Sequence, residues 1–201
     1  MKIPKRILWV NICSLAIFVF LWLEFKNNFF TKIDSAVNIF MSQIQIDFFI
    51  SVSKTVAFLF DTISMIIISL ILSTYIWFKF SKRDGAFIAF TMLISGAFIY
   101  VLKDFVQRAR PVDALVSESS FAFPSGHAVS SVVFFGLLIY LAFKEKSRVK
   151  TNICLISASM IVLICFTRLY LNVHWFTDVV GGIVLGIFIL TGSILLRERL
   201  K

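Results

Sequence analysis

Six long runs of apolar residues constrain the fold of this chain more strongly than any other feature of its sequence. Each run approaches the roughly 17–25 residues that an α-helix needs to cross the hydrocarbon core of a bilayer. Only 15% of the residues are charged, whereas a soluble domain carries about a quarter. The sequence therefore predicts an all-α integral membrane protein, a bundle of six transmembrane helices that forms a single domain over residues 1–201. The six spans are predicted at residues 7–23, 62–78, 86–102, 128–143, 152–167 and 179–196.

The connection between the first and second predicted spans, residues 26–60, is too polar to cross a membrane. Its apolar residues nevertheless recur at the spacing of one helix face, as in Ile33, Val37, Phe40 and Ile44. A structureless stretch of this length would be unusual in a compact fold. We therefore expect short amphipathic helices that lie in the membrane interface.

The lysines and arginines are distributed unevenly among the loops, and this distribution predicts the orientation in the membrane. If the N-terminus is cytoplasmic, thirteen of the twenty basic residues lie in cytoplasmic segments, in agreement with the positive-inside rule. We therefore predict a multi-pass protein of the plasma membrane with both termini in the cytoplasm. The chain has a net charge of +9, but its basic residues cluster at the ends of apolar runs. This arrangement favours lipid headgroups over nucleic acid as the partner.

Three clusters of polar residues within residues 103–178 carry the chemistry of the sequence. Both histidines of the chain lie in these clusters. The predicted topology places each cluster at the outer end of a span, so we expect all three to converge on the outer face of the membrane. The first cluster is Lys103 with Arg110-Pro111, the second is Pro124-Ser125-Gly126-His127, and the third is Arg168, His174 and Asp178.

The third cluster has two interpretations. His174 and Asp178 are four residues apart and share a face if both lie on a helix. Asp178 would then accept a hydrogen bond from one ring nitrogen and leave the other nitrogen free as a nucleophile. Alternatively, Asp178 only favours the positive end of the last helix, and His174 is an interfacial histidine.

The second cluster immediately precedes an apolar run and also has two interpretations. Ser125 can act as a helix cap, with Gly126 permitting a close approach of the chain. The same residues also suit an anion site, because the free amides of a helix start and the Ser125 hydroxyl donate hydrogen bonds. A protonated His127 beside this site would deliver a proton to a leaving alkoxide.

Lys103, Arg110 and Arg168 are either interfacial cations that extend to the membrane surface or ligands of a phosphate. Guanidinium groups match the equatorial oxygens of a transferring phosphoryl group, and two histidines accompany these residues. Three cationic side chains would repel a divalent cation, and no further ligands occur at metal spacing. We therefore expect neither a metal nor another cofactor.

Taken together, the three clusters resemble the signature of the type 2 phosphatidic acid phosphatase superfamily. The resemblance differs from the usual pattern at Thr167, where the third motif usually begins with serine. It implies a six-helix core and a metal-independent phosphatase. It also implies that His174 is a nucleophile that forms a phosphohistidine, that Asp178 orients it and that His127 is the acid for the leaving group. The residues that would hold the phosphate are Lys103, Arg110, Ser125, Gly126 and Arg168.

The resemblance implies hydrolysis of a phosphate monoester or diphosphate on a membrane lipid. The small size of the chain and the loop at 115–123 look like bacterial members that act on undecaprenyl diphosphate or phosphatidylglycerophosphate. An outward-facing site suits undecaprenyl diphosphate, which is released on the outer leaflet. The alternative is a catalytically silent membrane protein that binds lipid or acts as a scaffold, although both His174 and Asp178 are present.

Overall fold

The computed structural model describes residues 5–24, 29–145 and 148–199, and these residues form eight α-helices and no β-strand. The predicted all-α fold is therefore confirmed. Both chain ends, whose cytoplasmic location is predicted, and residues 25–28 before the second helix lie outside the described residues. The helices are α1 (Lys5–Glu24), α2 (Thr31–Gln43), α3 (Asp47–Leu59), α4 (Thr62–Lys79), α5 (Lys82–Val106), α6 (Gly126–Lys144), α7 (Lys150–Tyr170) and α8 (Phe176–Arg199).

Six of these helices, α1 and α4 to α8, are long and apolar enough to cross a membrane, which confirms the predicted six-span membrane bundle. Some of them extend beyond the predicted spans because polar residues continue the helix. Helix α5 begins at Lys82, four residues before the predicted span, since the Ser81 side chain accepts a hydrogen bond from the Asp84 amide. Asp84 is buried between Lys144 of α6 and Arg197 of α8. It therefore ties three helices together at one end of the bundle.

The two remaining helices, α2 and α3, confirm the expectation of short helices between the first and second spans. They carry exposed apolar side chains such as Ile33 and Phe48. Tyr170 at the end of α7 holds the turn between them, since its hydroxyl donates to the Ile44 carbonyl (3.0 Å) and accepts from the Ile46 amide (2.9 Å). The turn between α2 and α3 is therefore fixed against the end of α7.

Helix α6 lies at the centre of the bundle and packs against α5, α7 and α8. Its contact with α8 is close because α8 presents glycines. A Cβ at Gly182 would lie 2.7 Å from the Ser125 carbonyl oxygen, and one at Gly186 would lie 2.8 Å from Cβ of Val132. At the helix starts, the Ser125 amide donates a hydrogen bond to the Asp178 carbonyl (3.0 Å). This packing brings together the N-termini of α6 and α8, where the second cluster and Asp178 of the third cluster lie.

Candidate active site

A cavity of about 640 Å³ opens at the end of the bundle where α6 and α8 begin and where α5 and α7 end. Six of the eight predicted site residues line this cavity, although they come from clusters that are far apart in the sequence. The other two, Ser125 and Asp178, are fully buried and do not line it. The predicted residues that line the cavity are Lys103, Arg110, Gly126, His127, Arg168 and His174.

His174 lies in the turn between α7 and α8, where each ring nitrogen is close to a charged group. Its Nε2 atom is 3.3 Å from Nη1 of Arg110, and its Nδ1 atom is 3.4 Å from Oδ2 of Asp178. Burial, followed by the charges of Arg110 and Arg168, lowers the pKa of His174 well below its ordinary value. The imidazole is therefore neutral at pH 7. Because the Arg110 guanidinium only donates, Nε2 is the nitrogen that carries the lone pair.

The expectation that His174 and Asp178 share a helix face is wrong, because α8 begins only at Phe176. Asp178 lies in the first turn, and its Oδ2 atom accepts a hydrogen bond from the Trp175 amide (2.9 Å). This contact satisfies an amide that the start of a helix leaves without a partner. Asp178 thus stabilises the helix start and also lies beside the imidazole. Its expected hydrogen bond to Nδ1 is not formed, since the 3.4 Å contact lacks hydrogen-bond geometry.

The second cluster forms the start of α6. Ser125 occupies the N-cap position, but its hydroxyl makes no capping hydrogen bond and is buried without a partner among the described residues. The interpretation of Ser125 as a side-chain cap is therefore wrong. Gly126 does permit a close approach, because a Cβ there would lie 2.7 Å from Oγ1 of Thr62. His127 donates from Nε2 to the Ala57 carbonyl of α3 (2.9 Å), so Nδ1 is the ring nitrogen left for proton transfer.

The three predicted cationic ligands line the cavity with side chains that are held by hydrogen bonds. Arg168 is 1% exposed and forms an ion pair with Glu118, so the alternative of a cation that extends to the membrane surface does not apply to it. Arg110 donates to the Ser120 carbonyl (2.8 Å). Lys103 donates to the Ser120 hydroxyl (3.1 Å). These contacts hold three positive charges around one space.

Glu118, in the loop before α6, is a site residue that the sequence analysis missed. Its carboxylate pairs with Arg168 and lies 3.8 Å from Nη2 of Arg110. Burial raises the pKa of Glu118, but the two guanidinium groups outweigh burial and hold this pKa below its ordinary value. The side chain is therefore charged at neutral pH, and it binds the same guanidinium groups that the sequence assigns to phosphate. A single acidic residue in a polar loop has no periodic signal that would reveal these partners.

A second missed group consists of Arg108, Asp34 and Thr177, which surround Asp178 outside the cavity. Nη1 of Arg108 donates to Oδ1 of Asp178 and to the Thr177 hydroxyl (2.8 Å). Nη2 of Arg108 donates to Oδ2 of Asp34 (2.6 Å). Arg108 is only two residues from Arg110 in a stretch without regular structure, so the sequence alone gives no reason to separate their roles.

Helix α3 and the start of α4 complete the wall of the cavity. The lining includes Lys54, Ala57 and Phe58 of α3, followed by Asp61 and Thr62. These residues line the same cavity as the three cationic ligands, and Lys54 adds a further positive charge. The polar connection between the first two spans is thus part of the site.

Comparison with known proteins identifies the family to which this geometry belongs. The model of the PAP2 superfamily matches residues 84–201, which is more than half of the chain and contains all eight predicted site residues. A crystal structure of the first transmembrane PAP2 type phosphatidylglycerolphosphate phosphatase, from Bacillus subtilis, superposes with a TM-score of 0.88 at 26% identity. The superposition covers 96% of this chain and 98% of that one.

Two curated relatives are similar over shorter regions. Phosphatidylglycerophosphatase B of Bacillus subtilis is 40% identical over 93 residues, which are 44% of this chain and 46% of the relative. Dolichyldiphosphatase of Saccharomyces cerevisiae is 29% identical over 139 residues, which are 62% of this chain and 56% of the relative. The chain thus spans about half the length of these curated relatives. The family match, which includes every motif of the cavity, establishes that this chain belongs to the PAP2 superfamily.

Proposed function

We propose that this membrane protein hydrolyses a phosphate monoester or diphosphate on a lipid, and that a single domain over the whole chain carries the activity. The observation that carries the proposal is the placement of two histidines and three cationic side chains around one cavity at the end of a bundle of membrane-length helices. The names of the relatives support the substrate class, since one is a phosphatidylglycerophosphatase and another is a dolichyldiphosphatase.

In the first step, the phosphate of the substrate replaces the Glu118 carboxylate on Arg168 and Arg110. The Arg110 hydrogen bond then passes from Nε2 of His174 to a phosphate oxygen, which frees the lone pair. Nε2 attacks phosphorus, so that a P–N bond forms while the P–O bond to the lipid breaks. The leaving oxygen takes a proton from Nδ1 of a protonated His127. The product of this step is a phosphohistidine.

In the second step, water hydrolyses the phosphohistidine. The water oxygen attacks phosphorus, the P–N bond breaks, and Nδ1 of His127 takes the proton of the water. Lys103, Arg110 and Arg168 offset the negative charge that gathers on the equatorial oxygens. The Asp178 carboxylate offsets the positive charge of the phosphorylated imidazole. The mechanism requires no metal and no organic cofactor.

We also propose that the cavity faces outward from the plasma membrane and that both termini are cytoplasmic, as the distribution of lysine and arginine favours. The cavity is larger than a phosphate group and continues to Lys54 and Asp61. This space supports a substrate with a second polar group, such as the second phosphate of undecaprenyl diphosphate or the glycerol of phosphatidylglycerophosphate. An outward site favours the first of these lipids.

The test is phosphate release by the purified, detergent-solubilised protein in the presence of a metal chelator. Undecaprenyl diphosphate, phosphatidylglycerophosphate and phosphatidic acid are compared by kcat/KM. His174→Ala removes the nucleophile, and Arg148→Ala, an exposed residue before α7, is the control. We expect release from at least one lipid, abolished in His174→Ala and retained in Arg148→Ala. Absence of release from all three lipids would favour the lipid-binding or scaffolding alternative.

A further inference from the structure

We infer that Arg108 and Asp34 are positioning residues for the reaction, which hold the carboxylate of Asp178 against the imidazole of His174. The inference rests on the proposed function, because it assigns a role relative to the proposed nucleophile. It adds two residues that lie outside the three sequence clusters. It also makes the short helix α2 part of the catalytic arrangement.

One guanidinium group bridges two buried carboxylates. Nη1 of Arg108 donates to Oδ1 of Asp178, while Nη2 donates to Oδ2 of Asp34 at 2.6 Å. Asp34 is 2% exposed and Asp178 is 0% exposed. Two buried negative charges so close together require a compensating cation. The planar fork of arginine contacts both carboxylates at once, which the single ammonium group of lysine does not do with the same geometry.

Both oxygens of Asp178 are engaged as a result. Oδ1 is held by Arg108, while Oδ2 accepts from the Trp175 amide (2.9 Å) and faces Nδ1 of His174 at 3.4 Å. A carboxylate that is held at both oxygens does not rotate freely, so Arg108 and the Trp175 amide together fix which oxygen faces the ring. Without Arg108 the carboxylate is held at one oxygen only, and the negative charge that offsets a cationic imidazole is no longer fixed beside Nδ1.

Arg108 is not placed to bind the phosphate. It lines a separate cavity of about 280 Å³ together with Asp34 and Trp175, and it does not line the 640 Å³ cavity. Arg110 lines the larger cavity and contacts His174 directly. A loss of phosphate affinity is therefore the effect expected of Arg110 and not of Arg108.

Asp34 links helix α2 to the start of α8. Its Oδ1 atom accepts a hydrogen bond from the Thr177 amide (2.9 Å), and its Oδ2 atom accepts from the Thr177 hydroxyl (2.7 Å). The Thr177 amide is one of the free donors at a helix start. Helix α2 also carries exposed apolar side chains such as Ile33 and Phe40. The position of α2 at the membrane therefore determines where the Asp34 carboxylate lies and, through Arg108, where Asp178 lies.

The first test is Arg108→Lys, which keeps the charge but loses the fork, with Arg148→Lys as the matched control. We expect kcat to fall about 10- to 100-fold with KM unchanged, because the change misplaces a catalytic carboxylate without touching the phosphate cavity. A raised KM at unchanged kcat would overturn the inference, since Arg108 would then be a substrate ligand. Unchanged kcat and KM would also overturn it.

The same substitution in an Asp178→Asn background separates positioning from packing. If Arg108 acts only through Asp178, substituting Arg108 does not lower kcat any further once that carboxylate is absent. We therefore expect Asp178→Asn and the double variant Asp178→Asn/Arg108→Lys to have the same residual kcat. A further fall in the double variant would overturn the inference.

Asp34→Asn is a second variant that keeps the shape of the side chain and an acceptor oxygen for Thr177. Once Asp34 is neutral, Arg108 loses the ion pair that holds its second nitrogen, so its contact with Asp178 is no longer fixed in one geometry. We expect a lower kcat at unchanged KM, whereas the exposed control Asp47→Asn should behave like the unmodified protein. An Asp34→Asn variant with full kcat would overturn the role of α2.

The His174→Ala variant distinguishes a failure of this inference from a failure of the proposed function. If His174→Ala retains turnover, the proposed mechanism fails and the positioning role fails with it. If His174→Ala is inactive while Arg108→Lys and Asp34→Asn turn over like the unmodified protein, only the positioning role fails.

Discussion

Replacing Glu118 with glutamine should make inorganic phosphate a stronger inhibitor of this protein. The Glu118 carboxylate pairs with Arg168 and lies near Arg110, so an incoming phosphate must displace it. Glutamine has nearly the same shape but no charge, and it therefore competes less for the guanidinium groups. The substitution separates competition by charge from the simple filling of space.

The size of the effect follows from the contact distances. Two unit charges at the 3.8 Å between Glu118 and Arg110 attract by about 4 kcal/mol at an effective dielectric constant of about 20. Hydration of the displaced carboxylate offsets much of this attraction. The net free energy that the carboxylate contributes therefore approaches that of a hydrogen bond to a charged group, about 1.5–3 kcal/mol. Since about 1.4 kcal/mol corresponds to a factor of ten, we expect the inhibition constant of phosphate to fall at least about tenfold.

The effect depends on pH in a defined direction. Burial raises the pKa of Glu118, but Arg168 and Arg110 leave this pKa below its ordinary value. A carboxylate with a depressed pKa keeps its ion pairs at neutral pH and loses them as the pH falls through that pKa. The unmodified protein and Glu118→Gln should therefore differ at neutral pH and converge at acid pH.

The assay is inhibition of lipid hydrolysis by inorganic phosphate, measured as a competitive inhibition constant at several pH values. Comparing the two proteins at the same pH removes the contribution from protonation of phosphate itself. Glu145→Gln, an exposed residue at the end of α6, is the matched control and should behave like the unmodified protein. Equal or weaker inhibition of Glu118→Gln at neutral pH would refute the reasoning.

Three further predictions test the assigned roles. His174→Ala should abolish turnover and the phosphoenzyme that an alkaline quench traps, because it removes the nucleophile; substantial residual hydrolysis would exclude that role. Lys103→Ala should lower kcat/KM about 100-fold, because the loss of one group that stabilises a transition state has an effect of this size. Unchanged kinetics would mean that Lys103 does not contact the phosphate. Gly126→Ala should lower kcat/KM because its methyl group would lie 2.7 Å from Oγ1 of Thr62. Thr62→Ala in the same chain should restore activity, and failure of this rescue would contradict a steric cause.

The membrane architecture could be predicted from the sequence because it depends on local properties of the chain. An apolar run of membrane length must satisfy its backbone hydrogen bonds internally, and a helix is the local way to do so. The alternating direction of successive spans then places Lys103, His127 and Arg168 at one end of the bundle. The short helices α2 and α3 were predictable for the same reason, since their apolar residues recur at helical spacing.

The start of α8 shows where a local rule was insufficient. Four-residue spacing predicts that His174 and Asp178 share a helix face, yet the helix begins at Phe176. The Asp178 carboxylate accepts a hydrogen bond from the Trp175 amide. The helix therefore starts after Trp175, and His174 lies outside it. The spacing therefore identified the correct pair but the wrong geometry.

The sequence by itself determined the six membrane helices and the residues that meet at one end of them, because hydropathy and chain direction are properties of single segments. Only the tertiary structure decided which charged groups pair within that site. Asp34, Arg108 and Glu118 each have a partner at least 50 residues away in the chain. A lone charged residue in a polar segment looks like any solvated residue, and it becomes a buried partner only when the packing of distant helices removes water from around it.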